Sequence, residues 1–91
     1  MYLEIVTPEA SLVSGEVESV TVPGMEGEFQ MLNNHAAIVS LLAEGKVKFK
    51  GNPTIAKGYE NKFTQEDGSW VMHINGGTVE MNNNKVIVLA D

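Results

Sequence analysis

The stretch GGTVEMNNNKVIVLAD, residues 76–91, decides the fold class. Thr78 to Met81 and Val86 to Leu89 are short runs rich in β-branched residues, and Asn82-Asn83-Asn84 between them is turn-forming. That order predicts a strand, a tight turn and a second strand. Gly76-Gly77 ahead of the pair permits a bend or bulge that residues with a Cβ adopt only at a cost. Val86-Ile87-Val88-Leu89 is apolar on both faces, which predicts a strand buried between two layers and not an edge.

Working outward, Trp70, Met72 and Ile74 alternate with Val71 and His73 and predict another strand, with His73 on its polar face. Lys46-Val47-Lys48-Phe49-Lys50 alternates strictly, so Val47 and Phe49 point to a core and three ammonium groups to water. Glu16 to Val22 predicts a strand that Pro23-Gly24 stops as a turn. Leu3, Ile5 and Val6-Thr7 predict a first strand ended by Pro8. Residues 34–43 are open. Asn34 could cap a helix from His35 to Ala43 with Gly45 past its end, or a loop could feed a short strand from Ile38 to Leu42. The whole is an all-β domain.

Composition narrows the chemistry. The chain has 91 residues, enough for one core only. A domain of that size without cysteine has neither a disulfide nor a thiolate metal site to support it, so an assembly partner is expected. Twelve acids stand against six lysines, and arginine is absent. Without the bidentate guanidinium contacts that read phosphate and base edges, nucleic acid is not an expected ligand. No apolar run reaches the length of a membrane span, and Met1-Tyr2-Leu3-Glu4 lacks a basic n-region and apolar h-region. Direct insertion into lipid is not expected.

No catalytic, cofactor or metal site is expected either. Gly24-Met25-Glu26-Gly27-Glu28 has the glycines of a phosphate loop but no following Lys-Ser or Lys-Thr, and its carboxylates repel an anion; as a flexible acidic turn it needs no ligand. There is no Gly-x-Ser-x-Gly elbow, His-Glu-x-x-His helix or Asp-rich calcium loop. His35 stands alone among small and polar neighbours, the setting of a surface or interface hydrogen-bonder more than of a general base. Trp70 is most simply a core anchor, although a partly exposed tryptophan also serves interfaces.

Four stretches, in order and nearly spanning the chain, resemble the epsilon subunit of the F-type ATP synthase (delta in mitochondria). They are Leu3 to Glu9, Gly15 to Gly24, Glu26 to Phe29 with His35-Ala36, and Gly76 to Glu80 with Asn84 to Asp91. The resemblance implies a flattened β-sandwich of about ten short strands, and it favours the strand from Ile38 to Leu42. It further implies a non-catalytic rotor subunit on the cytoplasmic face of the bacterial plasma membrane, helping to lock the gamma subunit to the c-ring so that proton flow is coupled to ATP synthesis. Glu26, Gly27 and Glu28 then face the polar loops of the c-ring, with His35 beside them. Ile38 and Leu42 face gamma, and the catalytic head is met only indirectly.

Departures from the family pattern carry their own expectations. The sequence stops at Asp91, where family members continue into a helical hairpin, so inhibition of hydrolysis or ATP binding by that hairpin is not expected. Gln30, Asn33 and Ala37 stand where the family has Gly, Pro and Pro, which predicts a less rigid loop. Between Lys50 and Trp70 the chain is longer by roughly a dozen residues, an insertion that loops tolerate. Residues 51–69 are expected to form an extended loop or hairpin; Ile55, Tyr59 and Phe63 recur there at offsets of four, compatible with one face of an extended hairpin, with Tyr59 and Phe63 as extra contact area for gamma or a neighbouring subunit. A different class of function stays open on the residues alone: a free-standing acidic β-domain that binds a peptide or ligand through its acidic loop.

Overall fold

A 14-residue strand, Ser11–Gly24, organises the molecule. In the computed structural model, which describes residues 1–91, ten strands run in chain order: β1 (Tyr2–Val6), β2 (Ser11–Gly24), β3 (Gly27–Leu32), β4 (Ile38–Leu42), β5 (Gly45–Gly51), β6 (Thr54–Ile55), β7 (Phe63–Glu66), β8 (Ser69–Ile74), β9 (Gly77–Asn82) and β10 (Lys85–Ala90). A single 3-10 turn, Glu60–Lys62, precedes β7. The amino-terminal half of β2 pairs with β1 and β6, and its carboxy-terminal half pairs with β5 and β3. The long strand therefore belongs to both layers of a sandwich. One layer runs β6-β2-β1-β10-β9-β4, the other β3-β2-β5-β8-β7. The β1–β10 pair is parallel and all others are antiparallel.

Period-2 alternation explains the core. Leu3, Ile5, Val20, Val22, Val47, Phe49, Val79, Met81, Val86 and Val88 point inward and are all but fully buried. At about 1.5–3 kcal/mol for each large side chain removed from water, these inner faces supply the main drive to fold. No buried side-chain nitrogen or oxygen lacks a partner, so the core carries no desolvation penalty of that kind.

Two tight turns follow their residues. Asn83 and Asn84 both have positive φ, 50° and 59°, as the β9–β10 hairpin requires of a type I′ turn. Asp67 and Gly68, at 51° and 80°, make the same turn between β7 and β8.

Three expectations change. The strand predicted from Glu16 to Val22 runs on through Pro23 and Gly24, which pair with Glu28 and Gly27, so the turn sits at Met25-Glu26. β10 is internal, between β1 and β9, yet only one of its faces is covered: Val86 and Val88 are buried while Leu89 is 50% exposed. A two-layer sandwich covers one face of each strand, and nothing lies over the other. Of the two forms expected for residues 51–69, an extended loop or a hairpin, a single hairpin over the whole segment does not form. β6 crosses to pair with β2 at Val13 and Ser14, the 3-10 turn intervenes, and only β7 forms a hairpin with β8.

Candidate functional site: an acidic turn beside an uncovered apolar strand

The β2–β3 turn projects Met25, Glu26, Gly27 and Glu28 into solvent. Its shape depends on two glycines. Gly27 takes φ 127°, a conformation costly for residues with a Cβ. Gly24 lies so close beneath the Phe29 ring that a Cβ there would sit 2.9 Å from the ring and 2.8 Å from the Gly27 carbonyl oxygen. Neither Glu26 nor Glu28 takes part in an ion pair within the molecule. Both carboxylates are free for an external cation.

β4 runs back toward this turn, with Leu42 paired to Gly24. The alternation of β4 decides which side chains can meet a partner. Ile38, Ser40 and Leu42 point inward, and Leu42 is 4% exposed. Val39 and Leu41 point outward at 74% and 64% exposure, and Met25 adds 65%. Together Met25, Phe29, Val39 and Leu41 line a groove of about 610 Å³ whose rim is Glu26 and Glu28. Beyond its single pairing with β2, β4 is bonded only to β9. The strand is thus an edge that presents both apolar side chains and unpaired backbone.

The residues singled out from sequence are distributed differently from expectation. Glu26, Gly27 and Glu28 are together and exposed. His35 is not beside them. It lies in the loop between β3 and β4, residues 33–37, at the opposite end of β3 from the acidic turn, about 17 Å away at ~3.4 Å per strand residue. Its ring Nδ1–H donates to the Ala36 carbonyl at 2.8 Å. Leu42 cannot face a partner because its period-2 position directs it into the core. Phe63 is 6% exposed and stacks edge-to-face on Phe49, with centroids 6.0 Å apart and planes at 78°. It is core, not contact area. Ile38 and Tyr59 are half-buried against that core. The outward residues Met25, Val39 and Leu41 were missed. With Leu42 inward the period of 2 turns Val39 and Leu41 out, whereas Met25 is exposed by its place in the β2–β3 turn.

No three His, Asp or Glu side chains are gathered in a way that could hold a metal ion. No helix is long and apolar enough to cross a membrane.

Comparison with known proteins gives the family. The model of the "ATP synthase, Delta/Epsilon chain, beta-sandwich domain" matches residues 1–91. The ATP synthase epsilon chain of Campylobacter concisus is 38% identical over 91 residues, which are all of this chain and 60% of that relative. The epsilon chain of Chlorobium limicola is 36% identical over 89 residues, covering 98% of this chain and 86% of its own length. The chain thus spans a little under two thirds of the first relative and most of the second. Among solved structures, a chain of the Tetrahymena thermophila mitochondrial ATP synthase central stalk and c-ring superposes with a TM-score of 0.72 at 17% identity, covering 99% of this chain and 62% of that one. At that identity the likeness shows a shared fold. With the family model matching end to end, this chain belongs to the delta/epsilon chains of ATP synthase, whose β-sandwich domain it forms.

Proposed function

We propose that this chain is a non-catalytic rotor subunit of the F-type ATP synthase, acting in the central stalk to hold the gamma subunit to the c-ring so that proton flow is coupled to ATP synthesis. The observation that carries this is the contiguity of an uncovered apolar strand and an unpaired acidic turn, Met25, Val39 and Leu41 against Glu26 and Glu28. A coupling subunit needs both kinds of contact. Apolar side chains that shed water on docking give affinity, and unpaired charges at a rim give orientation. In this assignment Val39, Leu41 and Met25 seal against gamma, in place of the inward-facing Leu42 and Phe63. Glu26, Gly27 and Glu28 meet basic side chains on the polar loops of the c-ring. The catalytic head is reached only through gamma, and the site is the cytoplasmic face of a bacterial plasma membrane.

The relatives' name and the match of the whole chain to the family model support this proposal. Charge reversal tests it. Glu26→Lys with Glu28→Lys leaves the fold intact, because both side chains are exposed and without ion-pair partners. In reconstituted membranes the same double variant impairs proton-driven ATP synthesis. Unimpaired synthesis would reduce the acidic turn to a solvated surface.

A further inference from the structure

The loop between β3 and β4 is the least supported segment next to the proposed gamma-facing strand. Residues 33–37 pair with no strand and all five are exposed. The loop nevertheless sets where β4 begins, and Ala37, Ile38 and Val39 line a second shallow groove of about 310 Å³ that continues the apolar surface from Leu41 toward this end. An exposed, unpaired loop is expected to be mobile. Here two of its hydrogen bonds come from one residue about 50 positions away.

That residue is Asn84, in the β9–β10 turn. Its side-chain Oδ1 accepts the backbone N–H of Asn34 at 2.7 Å, and its Nδ2 donates to Oδ1 of Asn33 at 2.9 Å. The orientation of the amide follows from chemistry. A backbone N–H can only donate, so the oxygen of Asn84 must face Asn34 and its NH2 must face Asn33. Asn33 Oδ1 also accepts from the Met1 amino group at 3.1 Å. Asn84 is itself immobilised: its φ of 59° is fixed by the type I′ turn, its carbonyl accepts the Tyr2 N–H at 3.0 Å, and both flanking strands are anchored by Val79, Met81, Val86 and Val88 in the core. A turn needing positive φ at this position is satisfied by glycine as well as asparagine. The side chain is therefore surplus to the hairpin, and both its bonds go to the loop.

We infer that Asn84 is a positioning residue for partner docking: it clamps the 33–37 loop so that the surface from Ala37 through Val39 to Leu41 is pre-organised for the gamma subunit. This rests on the assignment of that surface to gamma made above. Pre-organisation raises affinity by removing the entropy lost when a mobile loop is ordered on binding.

The test uses Asn84→Gly in the full chain, which keeps the turn conformation and deletes both bonds. At a net ~1 kcal/mol for a hydrogen bond, amide exchange at Asn34 and His35 should speed up by about fivefold or more while the core amides stay protected. The dissociation constant for purified gamma subunit should rise by a similar factor of about fivefold. Rescue separates positioning from general structure. The Leu32 to His35 turn closes with the His35 N–H on the Leu32 carbonyl at 3.0 Å and has φ 62° at Asn34, the pattern of a type II turn with Asn33 at its second position. Proline is favoured there, so Asn33→Pro added to Asn84→Gly should restore gamma affinity by stiffening the loop without the clamp. If Asn84→Gly leaves gamma binding unchanged while Val39→Thr with Leu41→Thr weakens it, the clamp has no role in docking and the inference falls. If neither set weakens binding, the gamma assignment itself falls, and this inference with it.

Discussion

Val39 and Leu41 are the residues on which the gamma assignment can be measured. Val39→Thr combined with Leu41→Thr places a β-branched residue suited to a strand at each position while removing apolar surface. In the free chain the two side chains are 74% and 64% exposed, so most of their area is still available to bury. Full burial of such a side chain is worth about 1.5–3 kcal/mol; threonine keeps one methyl but adds a hydroxyl to desolvate, so each substitution costs about 1 kcal/mol of complex stability. The pair then loses about 2 kcal/mol, roughly 30-fold in Kd. Calorimetric titration of the chain with purified gamma reads this directly. Urea unfolding run in parallel should show a stability change within about 0.5 kcal/mol, as expected of substitutions on an uncovered face. Leu42→Ala is the counterpart: it should cost about 2–5 kcal/mol of folding stability and leave the gamma affinity of the folded protein unchanged. A folded double threonine variant whose Kd stays within about threefold of the parent, less than ~0.7 kcal/mol, would refute the assignment of this face to gamma.

Two further outcomes follow from the packing. A Cβ at Gly77 would run into the carbonyl oxygen of Leu89 and approach Ala90 Cα to 3.1 Å, at a φ of 148° that side chains rarely adopt. Gly77→Ala should therefore cost about 3 kcal/mol, lowering the urea midpoint by roughly 2 M at this chain size. Gly58→Ala, at φ 93° with open space around it, should cost only about 1 kcal/mol, and equal costs at the two sites would contradict the steric explanation. Phe63→Ala removes the edge-to-face partner of Phe49 and should destabilise by about 3 kcal/mol without altering gamma affinity. A loss of affinity in folded protein would return Phe63 to the interface.

The legibility of each element in the sequence depended on how many of its faces are buried. Lys46 to Lys50 was plain because one face is core and the other water, and the structure buries Val47 and Phe49 as the alternation requires. Ile38 to Leu42 was not, because Val39 and Leu41 are apolar on the outward face and erase the period that separates strand from helix. The residues proposed to meet gamma are the ones that hid the strand. β3 was obscured similarly by outward Leu32, 53% exposed, and by an acidic start that reads as loop. β10 erred in the other direction: its apolar outer residues suggested burial on both sides, whereas Leu89 remains half exposed. The acidic turn was found at Glu26 to Glu28, but its separation from His35 by the length of β3 required the hairpin register. The Asn84 bonds to Asn33 and Asn34 join positions about fifty residues apart and leave no local signal in the chain.

Coupling itself is tested most directly by adding this chain to an ATP synthase assembled without it. Proteoliposomes holding the enzyme minus this subunit are given a proton gradient, and ATP synthesis is followed before and after the purified chain is added. Synthesis should be low before addition and rise toward the complete enzyme's rate after it, with a reduced rise for the Glu26→Lys, Glu28→Lys variant. Equal synthesis with and without the chain would contradict its role as the link between gamma and the c-ring.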